Sequence, residues 1–145
     1  MQKITPFLWF DGRLDEAVKF YTSVFRNSHV ESLNPMSATF VIEGQEFMAF
    51  NGGPHFKFNE AVSFFIRCGT QVEIDEFWRK LADDGGGEGR CGWLKDKFGL
   101  SWQVVPDVLG KYLGDPDRVK ADRVMQAMLK MKKIDVAALE IAYKG

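Results

Sequence analysis

The chain is predicted to fold as an α+β protein, two tandem βαβββ-type modules followed by a C-terminal helical tail. Three observations lead there. The order strand, helix, strands is read twice along the sequence. An internal correspondence at an offset of 57 sets Phe7 on Phe64, Gly12 on Gly69, Glu16 on Glu73, Phe20 on Phe77 and Tyr21 on Trp78. Of the 145 residues, 46% are hydrophobic and 13 are Phe, enough apolar surface for one compact domain.

Ile4 to Phe10 is an aromatic-rich run ended by Asp11-Gly12 and reads as a buried strand. Leu14, Ala17, Val18, Tyr21 and Phe25 then fall at helical spacing, with Asp15 and Glu16 in the first turn where the helix dipole favours them. Strands follow around His29–Leu33, Ala38–Ile42 and Glu46–Phe50, the last two joined by a turn at Glu43-Gly44-Gln45. Asn51-Gly52-Gly53-Pro54 is the strongest internal break.

The pattern restarts with a strand over Ala61–Cys68. A helix follows with Ile74, Phe77, Trp78 and Leu81 on one face, and Thr70 with Glu73 form a capping box at its start. Asp83 to Gly89, rich in glycine, reads as a flexible loop. Strands near Cys91–Lys95 and Leu100–Pro106 flank a turn at Asp96-Lys97-Phe98-Gly99, and Gly44-Gln45-Glu46-Phe47 faces Gly99-Leu100-Ser101-Trp102 at an offset of 55. One domain over 1–145 is expected, with module 1 at 1–52, module 2 at 60–106 and the tail at 107–145. Halves of about 55 residues bury a sheet poorly alone and should pack together. In the tail, Val108, Leu109, Tyr112 and Leu113 form a helical turn, Asp115-Pro116 supplies an N-cap and N1 proline, and Asp135 caps a last helix. The methionine-rich stripe of Met125, Met128 and Met131 is read as packing on the chain's own sheet or on a second subunit, with a ligand groove or an adaptable partner surface as the alternative.

Composition excludes several classes. With 19 basic and 20 acidic side chains there is no basic surplus for nucleic acid, and two His and two Cys do not make a zinc finger. No run approaches the ~20 apolar residues of a membrane span, and the N-terminus lacks a signal h-region. A cytoplasmic protein with Cys68 and Cys91 as reduced thiols is expected, with no nucleic-acid or membrane partner.

Phe20-Tyr21 in the first helix of the duplicated unit resembles the vicinal oxygen chelate superfamily, to which glyoxalases and extradiol dioxygenases belong. The stretches Gly52 to Ala61 and Cys91 to Pro106, with the tail from Arg123 to Leu139, are similar to the PhnB-like family, whose members often carry the name 3-demethylubiquinone-9 3-methyltransferase domain protein. The resemblance implies paired modules whose curved sheets form a cup, usually completed in a homodimer. It also implies metal ligands on the first and last strand of each module. Here those positions are Pro6 and Ser63, then Met48 and Gln103, which do not suit a hard divalent cation. Neither a metal nor a cofactor is therefore expected.

If Pro6 and Ser63 point into the cup, alternation sends Leu8, Phe10, Phe65 and Arg67 inward and Phe7, Trp9, Phe64 and Ile66 against the helices. Ser101, Gln103 and Val105 would line the same space. Ser63, Gln103, Arg67, Phe10, Phe65 and Met48 are thus the candidate ligand-binding residues for a small organic molecule with an anionic or carbonyl group. No catalytic residue is assigned. His29 falls between the first helix and the next strand and His55 in the loop joining the modules, the latter without a sequence-near acidic partner; Cys91 lies near Arg90 and Lys95, and Cys68 reads as a small buried residue. Gly85-Gly86-Gly87-Glu88-Gly89 follows a helix and precedes a strand, the wrong context for a nucleotide-binding turn. The preferred activity is metal-free ligand binding; the alternatives are an enzyme of the same fold (lyase, isomerase or metal-dependent through substituted ligands) and methyl transfer.

Overall fold

The computed structural model describes residues 2–145. It divides into two compact units, one ending at Phe58 and one spanning Asn59–Gly145.

In the first unit, β1 (Phe7–Phe10), β2 (Ser28–Leu33), β3 (Ser37–Ile42) and β4 (Gln45–Asn51) form one sheet in the order β1-β4-β3-β2. β1 runs parallel to β4 and the other pairs are antiparallel. The helix α1 (Leu14–Val24) forms because its apolar residues recur at helical spacing, burying Leu14, Ala17, Val18, Tyr21 and Val24. Its Tyr21 ring stacks on Phe40 at 6.3 Å between centroids, and Phe40 stacks on its cross-strand partner Phe47 at 5.5 Å.

The second unit repeats the pattern. β5 (Ser63–Cys68), β6 (Gly87–Glu88), β7 (Trp93–Lys95) and β8 (Ser101–Pro106) pair in the order β5-β8-β7-β6, with β5 parallel to β8. The helix α2 (Gln71–Ala82) starts as its sequence predicts: the Glu73 N–H donates to the Thr70 hydroxyl at 3.2 Å, and the Glu73 carboxylate accepts from Gly69 N–H at 2.9 Å. Asp96 is buried, and its carboxylate accepts from the N–H groups of Phe98 and Leu100 and from the Trp102 indole. That network holds the turn between β7 and β8 closed. The loop expected over Asp83–Gly89 contains β6, whose Gly87 and Glu88 pair with Lys95 and Leu94. Two residues without an apolar pattern give no strand signal; the ladder and a bond from the Trp78 indole to the Glu88 carboxylate, 2.9 Å, make the strand.

The tail forms α3 (Asp107–Leu113), α4 (Arg118–Met128) and α5 (Val136–Lys144). The cap of α4 is Asp117, not the expected Asp115: Asp117 accepts from the N–H groups of Val119 and Lys120, while Asp115 accepts from Asp117 N–H. Asp135 caps α5 through Ala138 N–H at 3.1 Å. Val105, Leu109, Val124, Ile134 and Leu139 form the cluster that fastens the tail to the end of β8.

One expectation about the strands is overturned. Three residues, Asp11 to Arg13, separate β1 from α1, whereas only Gly69 and Thr70 separate β5 from α2. A shift of one residue sends alternate side chains to the opposite face. The strands therefore correspond at an offset of 58, Phe7 with Phe65 and Trp9 with Arg67, although the helices correspond at 57. Phe10 and Leu8, expected to face away from the helix, are 4% and 5% exposed, and Phe10 approaches Tyr21 of α1. Phe7 and Trp9 occupy the other face, in register with Met48 and Phe50.

Candidate functional site

In the second unit, a cavity of about 310 Å³ opens between the helix-free face of the sheet and the tail. Strand alternation builds its first wall. Ser63, Phe65 and Arg67 share one face of β5, and the register sets Phe65 beside Gln103 and Arg67 beside Val105. Trp93 on β7 is the other neighbour of Gln103. The second wall is helical: Asp107, Leu109, Gly110 and Leu113 from α3, with Met128 from α4 and Cys91 from the approach to β7. It stands where it does because Val105 and Leu109 are both held in the buried tail cluster.

The polar groups are few. Arg67 has its guanidinium 5.6 Å from the Phe65 ring centroid, a cation–π arrangement on a ring that is itself 51% exposed. Gln103 donates from Nε2 to the Ser63 hydroxyl at 3.0 Å, which fixes the amide and leaves its Oε1 as an acceptor. Asp107 is the first residue of α3, where negative charge suits the helix dipole.

Of the six candidate residues, Phe65, Arg67 and Gln103 come together on this cavity, and Ser63 reaches it through the bond to Gln103. Phe10 and Met48 do not join them. Phe10 is turned toward α1 by the extra residue before that helix. Met48 lies on the helix-free face of the first unit, 38% exposed beside Phe7, with Trp9 and Phe50 meeting edge to face at 4.7 Å nearby. The inward positions expected for Ser101 and Val105 divide: Val105 lines the cavity, and Ser101 is buried outside it. Asp107, Leu109, Gly110 and Leu113 are not among the sequence candidates, because a helical tail has no strand register from which to place them; Met128 belongs to the methionine stripe, for which a ligand groove is the alternative reading. Trp102 is on the helix-covered face, bonded to Asp96. His29 and His55 belong to the first unit and do not line the cavity.

The two thiols differ. Burial pushes Cys68 up to about 12, with Glu73 and Asp107 adding to the shift, so it is inert as a nucleophile near neutral pH. Cys91 borders the cavity at a positive φ of 57°.

The duplicated module with a helix on one face of each sheet is the glyoxalase-like fold. The family model described as 3-demethylubiquinone-9 3-methyltransferase matches residues 2–105. The structure described as a putative 3-demethylubiquinone-9 3-methyltransferase, PhnB protein, from Bacillus cereus is 36% identical at a TM-score of 0.67, covering 72% of this chain and 99% of that one. Protein PA1353 from Pseudomonas aeruginosa is 21% identical at a TM-score of 0.60, covering 73% and 98%. The fosfomycin resistance protein FosX from Listeria monocytogenes, whose structure contains Mn(II) and sulfate, shares the fold alone at 12% identity and a TM-score of 0.53, covering 70% and 87%. A comparison with curated proteins gives no match. The chain belongs to the PhnB-like 3-demethylubiquinone-9 3-methyltransferase family. The match ends at residue 105, so the tail, which the sequence reading included in the resemblance, lies outside it.

A divalent metal does not fit the donors present. The helix-free face of the first unit offers the Met48 thioether, and that of the second unit the Gln103 amide and the Ser63 hydroxyl. Glu46 adds a carboxylate that accepts from the Thr5 hydroxyl at 3.3 Å. Among the described residues no group of three His, Cys, Asp or Glu side chains converges to hold a metal ion.

Proposed function

We propose that the protein binds a small organic ligand in the second-unit cavity without a metal. The observation behind this is the cavity itself: about 310 Å³, apolar walls, and Arg67 and Gln103 as convergent polar groups. The apolar wall takes the body of the ligand, while the guanidinium takes an anionic or carbonyl oxygen. The proposal extends to a homodimer and a cytoplasmic setting. Phe7 and Phe56, 55% and 66% exposed on the first unit, supply apolar surface for a subunit contact. Two free cysteines go with a reducing compartment.

Methyl transfer, which the family description names, draws no support from the glycine cluster. A Cβ on Gly86 would lie 2.7 Å from the Ala82 carbonyl oxygen and 2.8 Å from that of Lys95, so this glycine serves close packing of the chain on itself. The segment also joins a helix to a strand, not a strand to a helix N-terminus.

The test is a nitrogen–proton NMR titration of chelator-treated protein with a set of small aromatic and aliphatic acids, amides and amines. Shifts centred on the Trp93 indole, the Gln103 side-chain amide and the Gly110 amide are expected. Shifts that need added metal, or that fall away from these groups, would overturn the proposal.

A further inference from the structure

We infer that the ligand is dipolar: an apolar body carrying an anionic group at one place and a cationic group at another, as an apolar α-amino acid does. This rests on the cavity being a ligand site. Arg67 and Asp107 border the same cavity from different elements, β5 and the first residue of α3. Among the described residues they are not ion-paired, with each other or elsewhere. Opposite charges that share a cavity without meeting leave room for a ligand to bridge them. A ligand with only a carboxylate would satisfy Arg67 and bring like charge toward Asp107; a ligand with only an ammonium would do the reverse. A zwitterion meets both.

The other groups point the same way. The Gln103 amide gives one Nε2 hydrogen to Ser63, which orients it and leaves its Oε1 as an acceptor and its second N–H as a donor. The donors of the ligand have two acceptors to meet, the Asp107 carboxylate and the Gln103 carbonyl, while its anion has the Arg67 fork and the remaining Gln103 N–H. Trp93, Leu109, Leu113 and Met128 provide the apolar wall for the side chain. The chemical class is an uncharged apolar group on a carbon bearing both carboxylate and ammonium, or an equivalent separation of charges.

Four probes with a common phenyl body separate the charges: L-phenylalanine, 3-phenylpropanoate, 2-phenylethylamine and 2-phenylethanol. Calorimetric titration of the full chain should show L-phenylalanine binding about tenfold or more tighter than any of the other three, the scale of a lost charge-assisted hydrogen bond. Arg67→Gln should weaken L-phenylalanine and 3-phenylpropanoate by about tenfold and leave 2-phenylethylamine unchanged. Asp107→Asn should weaken L-phenylalanine and 2-phenylethylamine and leave 3-phenylpropanoate unchanged. Circular dichroism and thermal melts establish that both variants fold. If 3-phenylpropanoate or 2-phenylethanol binds as tightly as L-phenylalanine, the dipolar ligand is wrong while the cavity remains a binding site. If none of the four gives saturable binding, the inference is overturned, and the NMR titration with the broader set decides the cavity separately.

Discussion

Cys68 and Cys91 have the same chemistry and opposite surroundings. Cys68 is 0% exposed, on the helix-covered face of β5, and its thiol is pushed up to about 12. Ellman's reagent at pH 8 should titrate Cys91 in the native protein and reach Cys68 only after denaturant is added. Stability should carry the same signature. Below pH 9 the thiol is protonated in both folded and unfolded chains and adds no slope. Between pH 9 and about 12 the unfolded chain releases the proton while the folded chain keeps it, so stability falls as pH rises, by at most about 1.4 kcal/mol per pH unit. Urea melts from pH 8.5 to 10.5 should show a flatter decline in Cys68→Ala than in wild type; equal slopes would mean the thiol ionises freely in the fold. The alternation that placed Phe65, Arg67 and Ser63 together was legible residue by residue, since a strand has a period of two. Phe10 was not, because its direction depends on a turn length that the offset of the helices conceals.

At the scale of elements, the lesson lies in the two connections between strand and helix. Gly12 and Gly69 align, and so do Arg13 and Thr70 as the residues before each helix, yet β1 ends one residue earlier relative to its helix than β5 does. Helix periodicity and capping chemistry are local, so α1, α2 and the Asp135 cap of α5 could be read directly. Asp115 and Asp117 both satisfy the cap pattern; the pairing of Asp115 with Tyr143, a contact 28 residues away, is what leaves Asp117 to the helix. The capping box of α2 makes a quantitative prediction. Thr70→Ala removes the acceptor for Glu73 N–H and should lower stability by about 1 kcal/mol in chemical denaturation, with Thr70→Ser close to wild type. An alanine variant with unchanged stability would mean that the bond to Gly69 alone holds the helix start.

At the scale of the molecule, the cavity has two walls of different standing. The sheet wall lies in the part matched by the family model, which ends at residue 105. The helical wall begins at Asp107, and the Bacillus cereus relative is matched over 99% of its length by 72% of this chain. The helical wall therefore lies outside the region matched by the family model, and the specificity proposed for the cavity should be sought in α3 and α4. The abundance of Phe foretold a large aromatic core. The methionine stripe points to the tail packing on the chain's own sheet or on a second subunit; that it closes over the second sheet with Met128 on the cavity is set by the tertiary cluster at the end of β8.

Gly110 offers the most direct test of a ligand-binding cavity. It lies in α3 facing the cavity, and a Cβ there would meet nothing within 4 Å. Gly110→Phe should keep the helix, fill the space and leave the melting temperature at or above that of wild type. Fluorescence titration with 8-anilinonaphthalene-1-sulfonate should give one saturable site in wild type and affinity reduced by about tenfold or more in the variant, as expected when an apolar site is blocked. Equal affinity in a folded Gly110→Phe variant would contradict the assignment of this cavity as the binding site.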